Sequence, residues 1–339
     1  MSKTIVVLGA TGNQGGSVAS TFLRNPEWRV RAVTRDAASA KAASLRSRGA
    51  EVVEADLDDP ASLRAAFAGA HAVYAVTDPL AILTAGPEKS SVAKPLPLSG
   101  QEKDDDDDLM AWAGAIELQQ LRNVADAAAA VALPTTLERL VLSVLQDTRA
   151  LSGGKYARVH HFEAKARAEA YVRETHPDLW SRTSSYVPGW FLSNILPGGM
   201  GQPQKSDDGT LLFAPGIKPT TRVPVFAAEE DSGPIVESLV REPTAGKKVV
   251  GERASMTFAE FLDLFARTTG RRAAYAAWPT DPAELPFPPF LREPLLEMTR
   301  FWDEFGYLGG DASVISPKDL TYPPVLETVE QYLEKKNWE

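Results

Sequence analysis

Residues Ile5–Arg24 read IVVLGATGNQGGSVASTFLR. Ile5, Val6, Val7 and Leu8 run into Gly9, and Gly12 and Gly15 follow at intervals of three, giving G-x-x-G-x-x-G. The run before Gly9 is continuous and β-branched, as in a strand buried on both faces. From Gly16 the apolar residues recur at helical spacing over 16–25. A strand, a glycine turn and a helix in that order make a place to hold a phosphate. Gly9 ends the strand in a tight turn, Gly12 lets the backbone approach a pyrophosphate, and Gly15 permits close packing of the helix on the sheet. The helix N-terminus directs unpaired N–H groups and a partial positive charge at the phosphates. Gly9, Thr11, Gly12, Asn13, Gln14 and Gly15 are therefore the expected contacts of a dinucleotide.

The chain continues in the same rhythm. RVRAVTR (29–35), EVVEADL (51–57), HAVYAVT (71–77), ERLVLSV (138–144) and RTSSYVP (182–188) read as strands. Between them AASAKAASLRSRG (37–49) is a helix with its terminal glycine, and DPASLRAAFAGA (59–70) is a helix with Asp59 as N-cap and Pro60 at its first position. The alternation predicts an α/β fold: a Rossmann-type doubly wound parallel sheet over residues 1–187. Residues 79–109 are Pro-, Gly- and Ser-rich, end in the aspartates Asp104–Asp108, and read as a mobile acidic insertion before a helix over 110–132. From 188 to 339 Pro and Gly become frequent, and six of the 25 prolines fall in 279–294. That part is expected to form a smaller α+β lobe across the strand ends, with some segments returning to the main sheet. Its helices are expected over 255–270, with Ser255 as N-cap, and over 293–307.

Composition narrows the function classes. Hydrophobic residues are 44% and charged residues 24% of the 339, the balance of a globular protein. No apolar run reaches the length of a membrane span, and a strand beginning at residue 4 leaves no room for a secretory signal. A cytoplasmic location is expected. The absence of cysteine excludes disulfides, thiolate metal sites and a Cys nucleophile, and no metal site is predicted. The net charge is −9, and five of those negatives are Asp104–Asp108, so the rest of the chain carries −4. With no basic stripe interleaved with aromatics, direct nucleic-acid binding is not expected.

The second strand decides between dinucleotides. Its end, AVTRD, places Thr34 and Arg35 where an enzyme for NAD puts a carboxylate. A guanidinium there suits a 2′-phosphate, to which it can make two charge-assisted bonds, so NADP(H) is the expected cofactor; Asp36 immediately after it leaves the alternative open. Asp56 and Leu57, after the third strand, would meet the adenine, and Thr77, after the fourth, would lie along the cofactor.

GATGNQGGSVA, VRAVTRD, GAEVVEADLDD and HHFEAK together resemble the NmrA-like family of atypical short-chain dehydrogenase/reductases, in particular its NADPH-sensor branch. The resemblance extends through PGWFLSNILP (188–197) and VPVFAAEEDSGPIV (223–236). It implies a Rossmann domain for NADP(H) with a small lobe over the nicotinamide end. That family is similar to reductases and also holds dinucleotide-sensing regulators without turnover. Typical short-chain reductases use a Tyr-x-x-x-Lys pair. Here His161 and Lys165 occupy the matching places, on one helical face. Lys165 would hold the nicotinamide ribose. His161, titrating near neutral pH, could protonate an alkoxide. Ser143 ends the fifth strand where the usual reductases have a catalytic Ser. Tyr156 is an alternative donor, and His160 is assigned no role. The resemblance places Pro188 and Phe191 against the nicotinamide, and Trp190, Phe191 and Asn194 could wall a substrate pocket. Two functions follow: reduction of a small carbonyl, imine or enone substrate by NADPH, or redox sensing with a regulated protein partner. The oligomeric state stays open.

Overall fold

Val6 and Leu8 pack into one hydrophobic core while Ile5 and Val7 pack into another, so the first strand is buried on both faces. The computed structural model describes residues 2–85, 105–132 and 136–338. In chain order its strands are β1 (Lys3–Val7), β2 (Trp28–Thr34), β3 (Glu51–Glu54), β4 (Ala72–Ala75), β5 (Arg139–Ser143), β6 (Thr183–Pro188) and β7 (Trp190–Phe191). There follow β8 (Gln204–Lys205), β9 (Leu211–Phe213), β10 (Arg222–Phe226), β11 (Lys248–Gly251), β12 (Ala254–Thr257), β13 (Ala273–Tyr275) and β14 (Val314–Ile315). The first helices are α1 (Asn13–Leu23), α2 (Ala40–Ser47), α3 (Pro60–Phe67), α4 (Pro79–Ala85), α5 (Asp105–Ala132) and α6 (Thr148–Leu151). The others are α7 (His160–Thr175), α8 (Pro177–Trp180), α9 (Ala228–Arg241), α10 (Phe258–Thr269), α11 (Pro289–Phe305) and α12 (Val329–Glu334).

Eight strands form one sheet in the order β14-β11-β6-β5-β4-β1-β2-β3, and every pairing in it is parallel. This is the doubly wound α/β fold. The chain runs outward from β1 through β2 to β3, then crosses back to β4 on the other side. The crevice above the β1–β4 junction is the switch point where such sheets bind ligands. One face of the sheet packs on α3, α5 and α7 through Leu63, Phe67, Val124 and Val172. The other packs on α1 and α9 through Val18, Phe22, Ile235 and Leu239.

Residues beyond 188 are woven into this frame: β11 and β14 extend the sheet beside β6. Helix α9 lies against α1 so closely that a β-carbon on Gly233 would fall 2.4 Å from the Ser17 carbonyl oxygen. The remainder forms two three-stranded sheets, β12-β10-β7 and β13-β9-β8, around an aromatic core that includes Trp190, Phe213, Phe261, Phe265, Phe301 and Tyr332.

Three local expectations are corrected. Residues 79–109 are not wholly a loop. Pro79–Ala85 forms α4, because Asp78 accepts the Leu80 and Ala81 amides and proline is at home in a first turn. Helix α5 begins at Asp105 rather than 110; the rest of the insertion, 86–104, lies outside the described residues. The N-cap of α10 is Thr257, not Ser255. Thr257 and Glu260 close a reciprocal capping box, while Ser255 pairs with Pro224 in the sheet. Among the described residues no helix is long and apolar enough to cross a membrane.

Two adjacent glycines give a test of how α1 is seated. A β-carbon at Gly15 would lie 2.3 Å from the Gly9 carbonyl oxygen, whereas one at Gly16 meets its nearest neighbour at 3.4 Å. Gly15→Ala should lower the unfolding free energy by ~1–3 kcal/mol or more through overpacking. Gly16→Ala should be neutral or stabilising by up to ~1 kcal/mol. Urea denaturation of both checks this, and equal effects would refute the packing account.

Candidate functional site at the carboxyl ends of the strands

The glycine turn is held from two sides. Gly9 has φ of 63°, which glycine adopts freely. Helix α1 starts directly after Gly12, its N-cap, so the amides of its first turn have no partner within the helix and could hold a pyrophosphate. Gln14 does not extend its side chain outward. Its Oε1 accepts from the Tyr74 hydroxyl at 2.9 Å and from Ser143 at 3.0 Å, tying the turn to β4 and β5. The Lys41 ammonium of α2 donates to the Thr11 carbonyl at 3.1 Å. That lysine is a cation at the turn which no motif announced.

At the end of β2, Arg35 is exposed and makes no hydrogen bond or ion pair among the described residues. Asp36 is engaged: its carboxylate accepts the Ala38 amide at 2.9 Å, and its own N–H bonds Thr34 Oγ1 at 3.2 Å. Asp56 is exposed and accepts the Asp58 amide at 3.0 Å. Leu57 packs half-buried on the core, with its carbonyl bonded to Asn123. Burial raises the Asp58 carboxyl above its ordinary value; Gln120 bonds oppose this, the Asp56 charge adds to it, and Arg35 is near enough to pull the other way.

At the far end of the crevice the structure brings Thr77 and Lys165 together and adds a residue the motifs did not point to, Glu117 of α5. The Lys165 ammonium donates to Thr77 Oγ1 at 2.6 Å, to the Thr77 carbonyl at 3.3 Å and to Glu117 Oε1. Thr77 in turn donates to the same Glu117 oxygen at 2.6 Å. Lys165 is 5% exposed and Glu117 is wholly buried. A polar residue inside an Ala-rich helix reads as solvent-facing in a sequence, and only the packing of α5 on α7 reveals Glu117 as a partner of the lysine. Gln146, three residues past β5, lies in a loop where its type and spacing give no sign of burial. It is 2% exposed, and neither end of its amide is bonded among the described residues.

His161 does not sit as a neutral-pH titrating group. Burial pushes its imidazole down to about 3, helped by the neighbouring Lys165 charge and by His160. Its Nδ1 is buried with no partner among the described residues. Near pH 7 it is uncharged, so it lacks the spare proton the sequence reading gave it. Ser143 is buried and spent on Gln14. The Tyr156 hydroxyl donates to Glu304 of α11 at 2.7 Å, and burial with that carboxylate raises its pKa, opposite to what an activated donor needs. Pro188 is buried at the end of β6, its carbonyl accepting from Tyr307 at 3.0 Å. Trp190 is corrected from pocket wall to lobe core: it is 8% exposed and meets Phe258 and Phe261 edge to face. Phe191 packs on Phe226 and keeps part of its surface free. Asn194 lies half-buried in a short 3-10 turn. Among the described residues no cluster of His, Asp and Glu is arranged to hold a metal ion.

The model of the NmrA-like family matches residues 1–90 and 109–333. The chain belongs to the NmrA-like family. It is 29% identical over 303 residues to the NmrA-like family domain-containing oxidoreductase cpsB of Aspergillus campestris, covering 84% of this chain and 79% of that one. Its fold is similar to that of NmrA, a negative transcriptional regulator solved in complex with NADP. The TM-score is 0.72 at 20% identity, over 98% of this chain and 95% of that one. The fold is also similar to the NADPH-dependent quinone oxidoreductase QOR2 of Escherichia coli, solved with NADPH. There the TM-score is 0.62 at 18% identity, over 97% and 98% of the two chains.

The depressed imidazole has a measurable consequence. In the unfolded chain His161 takes a proton near 6.5, in the folded protein only near 3. The stability it allows is complete above 6.5 and is lost progressively as the pH falls toward 3. The slope it contributes is up to ~1.4 kcal/mol per pH unit. Urea unfolding from pH 7 to pH 4 should therefore fall less steeply for His161→Gln than for wild type; parallel curves would show that the fold does not hold His161 neutral.

Proposed function

We propose that this protein binds NADP(H) and acts as an oxidoreductase on a small carbonyl, imine or enone substrate. The observation that supports this most is the setting of Arg35. Its guanidinium is exposed and without a hydrogen bond or ion pair among the described residues. The carboxylate that would favour an unphosphorylated ribose, Asp36, is already engaged on Ala38. Lys41 adds a second cation at the glycine turn. A free guanidinium suits a 2′-phosphate, and the first turn of α1 suits the pyrophosphate. At the other end Lys165 holds the nicotinamide ribose. The bond from Lys165 to the Thr77 carbonyl is the longest of its three, and so the one a ribose hydroxyl replaces at least cost. Hydride transfer is the chemistry the nicotinamide supplies when bound. The protein orients and steadies the charge that develops on the substrate. A neutral His161 can donate a hydrogen bond to a developing oxyanion, and the proton that completes the product then comes from water.

A second reading rests on the same imidazole. With His161 uncharged and no tyrosine four residues before Lys165, the protein lacks an obvious proton donor. This favours a redox sensor that binds NADP(H) and then regulates a protein partner, and the similarity to NmrA is in keeping with it.

The cofactor assignment is tested by titrating NADPH and NADH against wild type and Arg35→Ala, following tryptophan fluorescence. Loss of a charge-assisted contact should weaken NADPH about 10- to 100-fold while NADH stays within about twofold. If wild type binds NADH as tightly as NADPH, the assignment to Arg35 fails. NADPH oxidation over a panel of ketones, quinones, imines and enones then separates the two readings. Turnover lost in Lys165→Ala supports the oxidoreductase, and silence with NADPH binding intact supports the sensor.

A further inference from the structure

Glu117 is a carboxylate with no exposed surface, set in the middle of α5. Its Oε1 accepts from both Lys165 and Thr77, while its Oε2 is buried with no partner among the described residues. An ion pair kept for stability would satisfy both oxygens, because a buried pair gains little over apolar packing unless every lone pair is answered. This pair leaves one unanswered. What the carboxylate does secure is the lysine. Lys165 has three N–H bonds, and its other two acceptors both belong to Thr77 and are neutral. A histidine is neutral or cationic, so His161, one turn earlier on the same helix face, cannot be the lysine's counter-charge. Without Glu117 a cation with 5% exposure would face only dipoles.

We propose that Glu117 is the positioning residue of Lys165, fixing the ammonium, charged and aimed, at the nicotinamide end. This rests on the reading that the protein binds NADP(H). Glu117 touches neither cofactor nor substrate and acts through the lysine. Thr77 passes the constraint between them, since its hydroxyl receives from Lys165 and donates to Glu117. The strand end and two helices are thereby locked around one charge. The carboxylate is also the reason the site carries a lysine without a net positive charge, which fits an uncharged substrate better than a carboxylate.

A double-mutant cycle tests this with NADPH affinity as one readout and Tm as the other. Glu117→Gln keeps the size of the side chain and removes its charge, and should weaken NADPH binding about tenfold or more. In a Lys165→Met background the same change should alter affinity by less than about twofold, because the residue it acts through is gone. Each single variant leaves one buried charge alone and should lower Tm, and the double variant should recover part of that loss. Glu117→Asp, which keeps the charge one methylene short, should bind NADPH more tightly than Glu117→Gln. NADPH binding by Glu117→Gln equal to wild type, or weakened equally in both backgrounds, would overturn the proposal. If Glu117→Gln does not fold, the comparison of Lys165→Met with the double variant still decides, since any difference in their NADPH affinity above about twofold overturns it. Failure of wild type to bind NADPH at all would sink the functional reading instead.

Discussion

Helix α1 leaves the sheet with Gly15 against the carbonyl of Gly9, at a separation that has no room for a β-carbon. That contact sets the distance between helix and sheet, and with it the direction of the first-turn amides. The rest of the crevice is referenced to it. Gln14, the residue before, reaches down to Tyr74 and Ser143 and so fixes the turn to the next two strands. Strand β4 then delivers Thr77 to Lys165. One backbone approach at the start of the chain therefore positions groups contributed by residues as distant as 165.

The site has a different electrical character at its two ends. Near β2 the cations stand open to solvent, where a ligand can reach them and where salt screens them. Beyond β4 the Lys165 cation is closed in and neutralised by a carboxylate from the neighbouring helix of the same layer. The first arrangement suits capture of an anion, and the second suits orientation of a group already bound. A neutral imidazole beside the closed pair keeps that end free of further charge.

Much of this was legible in the sequence, and the boundary is physical. The strands and helices of the first half follow from local periodicity, although α1 runs Asn13–Leu23 rather than 16–25. Arg35 and Lys165 stand at fixed offsets from a strand end or within a spaced pair, so their positions could be named. Glu117, Gln146 and Lys41 have no such offset. The settings of Glu117 and Lys41 arise from how their helices pack, and that of Gln146 from the loop after β5, and a glutamate in an Ala-rich helix carries no mark of its inward direction. Trp190 misled for the converse reason. An aromatic after a strand end looks like a pocket wall, but the small lobe needed large rings to fill a core between two short sheets. His161 misled because its titration depends on burial, which spacing does not encode. The N-cap of α10 was two residues out, since Thr257 has a glutamate three positions on to complete the box and Ser255 has none.

The contact of α9 on α1 bears on how such a chain can be made. The Gly233 amide donates to the Ser17 hydroxyl across a separation of 216 residues. Until α9 emerges from the ribosome, the outer face of the first helix has nothing to cover it, and β6 lacks its neighbour β11. Helix α1 therefore precedes the segment that covers it by some two hundred residues of chain. A nascent chain holds that helix face uncovered, and the β6 edge open, until those later segments arrive, so long-range closure weighs on the assembly of this fold.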